Sequence, residues 1–503
     1  MSRPRFNPNR LTALAFKFFA LVLCLHANPA FAQIGKRFPS ERKVVPDPVT
    51  GIPLTFLTSK PVGDSKIYPT HQQWTADGKW VIFRSPQGRR VAAPNERLRS
   101  EAMAVNEETG DIVQITEGGF SGMLCVTRRS MKLFFLRDTN PPPVPVAEQG
   151  APPPAGFEDA RPANGASGEA PAASVAVEPP RPPRSRGPFQ VVEVNLEKIF
   201  ADSAAGRMKS ASEYERICGL IPPEMQGGGD LAIDANEDVA YFRVNGPDLA
   251  AKLPVGTKIE ERFGPSNMGA GPTGIGRMDL KTGESKLVVA VPFQVGHIQT
   301  NPFVPGEIVF CWETGGKSPQ RTWTVMADGT GLRPLYPEAS YEWITHEAII
   351  TKDEVALGIL GHRRAGLAAN APWGNSGTPE HPTGLGIVNL RTHEMRIVGQ
   401  VPMGNPGRSF WHVHGSPDAR WAVGDDFQYR LWLIDRHSGE MILLTDNGHK
   451  TTAADHQHPT FSADSTRIEF QSAMLSENGR SLNICVVPVP KSWLARTYSD
   501  KIQ

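Results

Sequence analysis

The chain is patterned in short apolar runs separated by polar turns, with little helical periodicity. Seven runs each read as one strand: WVIFRS (80–85), KLFFLRD (132–138), VAYFRV (239–244), EIVFCW (307–312), ALGILG (356–361), WAVGDD (421–426) and RIEFQS (467–472). Tight-turn sequences precede most of them, among them TADGK (75–79), DANED (234–238), SPDAR (416–420) and SADST (462–466). Further strand-like stretches follow, several ending in a threonine before a turn, as in DIVQITEGG and MILLTDNG. The unit recurs seven times, beginning near residues 68, 120, 229, 294, 342, 409 and 454. About four strands per repeat is the pattern of a propeller blade. The fold class expected is therefore all-β, a single seven-bladed β-propeller over residues 33–490 with a C-terminal tail at 491–503. A β-sandwich or two β domains is the other arrangement such runs allow. PLTFLTS (53–59) precedes the first unit as a lone strand, and it would close the ring by joining the last blade. GAGPTGIG (269–276) follows no recognisable strand and opens no helix, so it reads as loop.

Two segments fall outside this pattern. Residues 1–32 have the form of a secretory signal: Arg3, Arg5 and Arg10, an apolar stretch from Leu11 to about His26, and Ala30-Phe31-Ala32 before Gln33. This predicts a periplasmic or secreted protein, with no membrane attachment after cleavage. Residues 140–188 are rich in Pro, Ala, Gly and Glu and poor in large apolar side chains. Such a stretch buries too little surface to offset its ordering entropy, so disorder is expected there, inserted in the second blade. The 503 residues carry a net charge of +1, which gives no broad electrostatic case for nucleic acid. Cys125, Cys218, Cys311 and Cys485 are widely spaced without a C-x-x-C pair, and three of them lie in apolar runs. Buried free thiols are expected rather than a disulfide framework.

Turn register gives the histidines meaning. His71, His412 and His458 each lie six residues before a turn residue, Asp77, Asp418 and Asp464. Asp230 lies six before Asn236 in the same way. These are equivalent positions on the first strand of separate blades, the strand that lines the channel of a propeller. Residues two apart on a strand share a face, so His456 and His458 point one way, as do His412 and His414. Neutral imidazoles from neighbouring blades are good ligands for Mn, Zn, Fe or Ni. A single channel histidine is more often bonded to backbone or water; the case for metal rests on His412, His456 and His458 together. G-x-S-x-G, H-E-x-x-H and a phosphate-binding glycine loop are all absent from the sequence.

Several stretches are similar to the oligogalacturonate lyases, polysaccharide lyase family 22. They are TGIPLTFLTSKPVGDSKIYPTHQQWTADGKWVIF, VGHIQTNPFVPGEIVFCWETGGKSPQRTWTVMADGTGLRPLY, ITHEAIITKDE, WHVHGSPDARWAVGDD and HQHPTFSADSTRIEFQS. The resemblance implies a seven-bladed propeller with a divalent metal, manganese, at the channel mouth. It implies His412, His456 and His458 as metal ligands, His346 and Arg321 as the catalytic pair, and His71, His297 and Trp343 as substrate contacts. The substrate implied is a short uronide oligosaccharide, cleaved by β-elimination. Two departures stand out. The family's glutamine ligand falls on Ala453, and Trp312-Glu313 stands where the family commonly has histidine before glutamate. The alternative is a non-catalytic propeller that binds a protein or a sugar, since one fold hosts many functions.

Overall fold

The computed structural model describes residues 33–498 apart from 93–95, 97, 141–186, 341, 363–381, 402–408, 447–455 and 478. The predicted signal segment, most of the predicted insertion, and Ala453 lie outside the described residues.

Seven antiparallel sheets form the blades of a β-propeller. The seven runs read from the sequence are the second strands of the seven blades, Trp80–Pro86, Lys132–Asp138, Val239–Val244, Glu307–Trp312, Glu354–His362, Trp421–Asp426 and Arg467–Ser472. The innermost strands are Ser65–Lys66, Ser121–Val126, Leu231–Ile233, Val295–Thr300, Glu342–Thr351, Phe410–Gly415 and Thr460–Phe461. We number the blades 1 to 7 in that order.

The apolar runs are nearly continuous because each blade is buried on both faces. Strand alternation sends successive residues into opposite seams. In blade 1, Val81 and Phe83 pack towards blade 7 and Ile82 packs towards blade 2. Each seam between neighbouring blades has its own apolar cluster. Among the described residues no single central core exists, and the axis is left to the residues of the inner strands.

Blade 7 joins the two ends of the chain. Its inner strands come from the C-terminal region, and its outer strands, Lys43–Pro46 and Pro53–Phe56, come from the N-terminal region. Thr55 pairs with Val486 and Phe56 with Cys485, so the lone strand does close the ring. Beside this closure Arg89 is buried between two carboxylates, 3.0 Å from Glu41 and 2.9 Å from Asp64. The four cysteines are free and buried, as expected.

The structure corrects one reading. The glycine-rich stretch is part of a strand, Ala270–Asp279 of blade 3, and not a loop. Its glycines make room rather than turns. A Cβ at Gly276 would lie 2.6 Å from the Phe242 ring, and one at Gly274 would lie 2.5 Å from the Val289 carbonyl oxygen. A helix also interrupts the all-strand pattern, Leu196–Ala204, capped where the Asn195 side chain accepts from Lys198 N.

Arg89 supplies the test of ring closure. Replacing it by Met leaves Glu41 and Asp64 buried without their cation. Breaking a buried ion pair from one side costs about 3–5 kcal/mol. Arg89→Met is expected to lower the urea midpoint and the melting temperature together, while Arg37→Met, at a surface pair with Asp111, leaves both near wild type.

Candidate metal and catalytic site

The inner strands of blades 4, 5 and 6 are irregular where their histidines sit. Register slips between Gly296 and Gln299, between Thr345 and Ala348, and between Phe410 and Val413. His297, His346 and His458 adopt left-handed φ values of 50°, 47° and 51°. A non-glycine residue held there costs on the order of 1–3 kcal/mol, and such bulges re-aim a side chain. Regular alternation would turn these rings into the seams. The bulges re-aim His297, His346 and His412, and the rings of His297, His412 and His458 pack against Tyr68.

One cluster belongs to blades 6 and 7. Ligand atoms of His412, Asp425 and His456 all lie within 4.8 Å of one another. Asp425 Oδ2 is 3.4 Å from Nδ1 of both histidines. The same carboxylate accepts from the backbone N–H of His412 at 2.6 Å and of Gln457 at 2.9 Å. Burial would raise its pKa, but His412 and His456 hold it far below the ordinary carboxylate range. Two imidazoles and a carboxylate at this spacing suit a first-row divalent cation. His458 packs on His412, with ring centroids 3.7 Å apart, yet stands outside this donor group. Gln471 holds its ring. Its Oε1 accepts from Lys66 N, which fixes the amide, and its Nε2 donates to His458 Nδ1 at 3.0 Å.

The second cluster lines a small cavity between blades 4, 5 and 6. Arg321, His346, His297, Glu313, Trp343 and Trp411 form its wall. His346 Nδ1 lies 2.6 Å from the Trp411 carbonyl oxygen, which can only accept. The proton therefore sits on Nδ1 and the lone pair on Nε2. Burial, with His412 and Arg321 nearby, lowers the pKa of His346 well below 6.5, so it is neutral at pH 7. His297 behaves oppositely. Burial favours its neutral form, but Glu347 and Glu313 outweigh it and raise its pKa to about 9. Its Nδ1–H donates to Glu347 at 3.2 Å, and the 3.4 Å approach of Arg321 Nη2 to the same nitrogen is a contact between like charges. Arg321 Nε donates to Glu347 at 3.2 Å, and Nη2 lies 3.6 Å from Glu313. Its backbone N–H is held by Glu338 at 2.9 Å. Trp343 and Trp411 pack together with Leu360 and give the cavity an apolar wall. The two clusters touch, since the His346 and His412 ring centroids are 4.3 Å apart.

Thus six of the predicted site residues gather here in these two clusters, His297, Arg321, Trp343, His346, His412 and His456, and His458 lies beside them. His71 is elsewhere. It lines a separate cavity with Thr127 and Asp234, and both ring nitrogens are engaged, by Thr70 Oγ1 and by the Leu231 carbonyl. His414 also faces away from the donor group, where its Nδ1 accepts from Phe461 N at 3.4 Å. The departure at Trp312 becomes intelligible. Its ring stacks on Phe293 at 4.8 Å in the seam of blades 3 and 4, while Glu313 faces Arg321 and His297. Sequence reasoning missed Asp425, Glu347 and Trp411. Glu347 and Trp411 directly adjoin predicted histidines, but the contact of Asp425 with His412 exists only through strand pairing in blade 6.

No protein-family model and no curated protein matches the sequence. Solved structures do resemble the fold. An oligogalacturonate lyase in complex with manganese superposes with a TM-score of 0.62 at 17% identity, over 92% of this chain and all of that one. An oligogalacturonate lyase from Vibrio parahaemolyticus gives 0.61 at 16% identity, with the same coverage. The chain therefore has the seven-bladed propeller fold of these lyases.

Two measurements test the site. Asp425→Asn is expected to weaken binding of Mn²⁺ by about 10–100-fold in calorimetric titration, because the carboxylate either ligates the cation or orients both imidazoles. Glu347 predicts an acid limb. Burial would raise its pKa, but Arg321 and His297 pull it from 4.5 to about 2. A folded-state pKa below the unfolded one adds stability that is complete above about 4.5 and lost as pH falls towards 2. Denaturation by urea at stepped pH should show this loss in the wild type and a shallower one in Glu347→Gln.

Proposed function

We propose that the protein is a metal-dependent lyase that cleaves short galacturonate oligomers, or related uronides, by β-elimination. One observation carries the reading. A neutral imidazole, His346, shares a cavity with the Arg321 guanidinium and touches a donor group suited to a divalent cation. The propeller that presents them has the fold of two oligogalacturonate lyases.

The chemistry needs such a set. The C5 proton of a uronide is weakly acidic because the adjoining carboxylate is already negative. A divalent cation held by His412, Asp425 and His456, manganese by analogy, supplies charge neutralisation at that carboxylate when bound. His346 Nε2 takes the C5 proton, and the Trp411 carbonyl keeps its other nitrogen protonated. Arg321 is spent on Glu347 and Glu313 through Nε and Nη2, so it meets a second uronate carboxylate through Nη1. Trp343 and Trp411 supply an apolar face for a sugar ring. The segment 1–32, read as a secretory signal, would put this reaction in the periplasm or outside the cell.

The test is incubation of purified protein with digalacturonate and trigalacturonate, with Mn²⁺ or with chelator, following the ultraviolet absorbance of the conjugated product. His346→Gln is expected to lower kcat by about 10²–10⁴-fold while leaving Mn²⁺ binding intact. A wild-type protein that forms no product from any uronide, with metal bound, would sink the lyase reading in favour of a binding propeller.

A further inference from the structure

The inner strands that bring His297 and His346 to the catalytic cavity lead on to a second one. Thr300 and Ile349, further along the same two strands, line it with the corresponding segments of blades 1 to 3. We propose that this opposite mouth of the channel is a second ligand site, in which the Arg128 guanidinium binds a small oxyanion, a carboxylate or a phosphate. The site is independent of the lyase reading.

The other polar groups of this cavity are already engaged. Asp234 accepts from Gly306 N at 2.8 Å and from Asn236 N at 3.2 Å. Glu237 accepts from Arg129 N at 2.7 Å and from the Ser130 hydroxyl at 2.5 Å. Burial is the main cause that lowers the pKa of His71 to about 4, so it is neutral at pH 7. Thr70 Oγ1 is bonded to His71, and Thr300 Oγ1 donates to the Ile233 carbonyl. Arg128 is the only cation among the described residues of the cavity. No hydrogen bond or ion pair reaches its guanidinium from any described residue, and its one contact is the Phe303 ring, 5.4 Å from Cζ. A ring over the guanidinium face leaves the N–H donors, which lie in its plane, without acceptors.

Arg128 differs from an ordinary surface cation. Its side chain keeps a face open to solvent, yet protein crowds the guanidinium enough to push its pKa down to about 10, still charged at pH 7. Burial alone causes that shift, so neither carboxylate of the cavity stands near enough to compensate the charge. The guanidinium also reaches across the channel from blade 2. In blade 6, His414 has its pKa lowered by burial first, then by Lys66 and Arg128. A desolvated cation without a counter-charge is costly, and an oxyanion would supply both the charge and the missing acceptors, two at once on the fork of N–H groups. The cavity, about 70 Å³, has room for an anion of a few heavy atoms, since a water needs about 10–15 Å³.

Equilibrium dialysis of the full chain against radiolabelled phosphate and, separately, acetate tests the site. The proteins compared are wild type, Arg128→Gln, Arg128→Lys and, as a neighbouring surface cation, Arg129→Gln. Replacing Arg128 strips no described group of a hydrogen bond, so melting curves should match and serve as the control of folding. Anion held at the catalytic cavity is common to all four and cancels in the comparison. The wild type and Arg129→Gln are expected to bind one equivalent that Arg128→Gln loses, and Arg128→Lys to hold it more weakly, having charge without the fork. The anion bound more tightly identifies the ligand as carboxylate or phosphate. Equal binding by wild type and Arg128→Gln, or no saturable binding of either anion, would overturn the site. An equal loss in Arg129→Gln would overturn it too, as diffuse attraction to a basic surface.

Discussion

Ring closure is the constraint on which everything else depends. Every blade buries both faces against its neighbours, so an open ring would expose two apolar faces and two unpaired edges. The chain meets this by placing Pro53–Phe56 against Asn483–Pro488 within one blade. The seams carry the stability, and each is an independent apolar cluster rather than a share of one core. The axis is thereby freed from packing duty, and it is there that charge gathers.

The axis in turn depends on three carboxylates, two of them fully buried. Glu347 ties Arg321 and His297, Glu313 lies against the same pair from the other side, and Asp425 ties His412 and His456. Glu347 and Asp425 are fully buried, and each balances cationic or ionisable partners that would otherwise stand uncompensated. The strained backbone at His297 and His346 belongs to the same arrangement. Bulges cost stability, and the flanking seams hold the strands that bear them. A rigid frame holding a strained, charged centre is the usual division between fold and chemistry.

Much of this was legible in the residues. WVIFRS and its six counterparts announced the second strand of every blade, because strands buried on both faces need continuous apolar side chains. The turn register placed His412 and His458 at one depth, and their rings do meet, at 3.7 Å. The same register failed for His71, whose ring turns to the Leu231 carbonyl. Strict alternation also failed for His412 and His414, which do not face one way, since the bulge between Phe410 and Val413 cannot be seen in a pattern of period two. The glycines of 270–279 misled for a related reason. A strand under close approach from Phe242 and the Val289 carbonyl tolerates no Cβ, and the outcome imitates a loop.

The sequence by itself determined the repeat, the number of blades and the closing strand, because these follow from hydrophobic period and turn chemistry, which are local. It also marked the histidines and Arg321 as candidates. Only the tertiary structure decided which of them face one another and with what charge. Asp425 lies 13 residues from His412 and 31 from His456, yet it takes Nδ1 of both. Glu347 lies 50 residues from His297 and 26 from Arg321, yet it carries both cations. Such contacts arise where paired strands of one blade and strands of neighbouring blades converge on the axis, and the low dielectric there makes each pairing decisive for protonation.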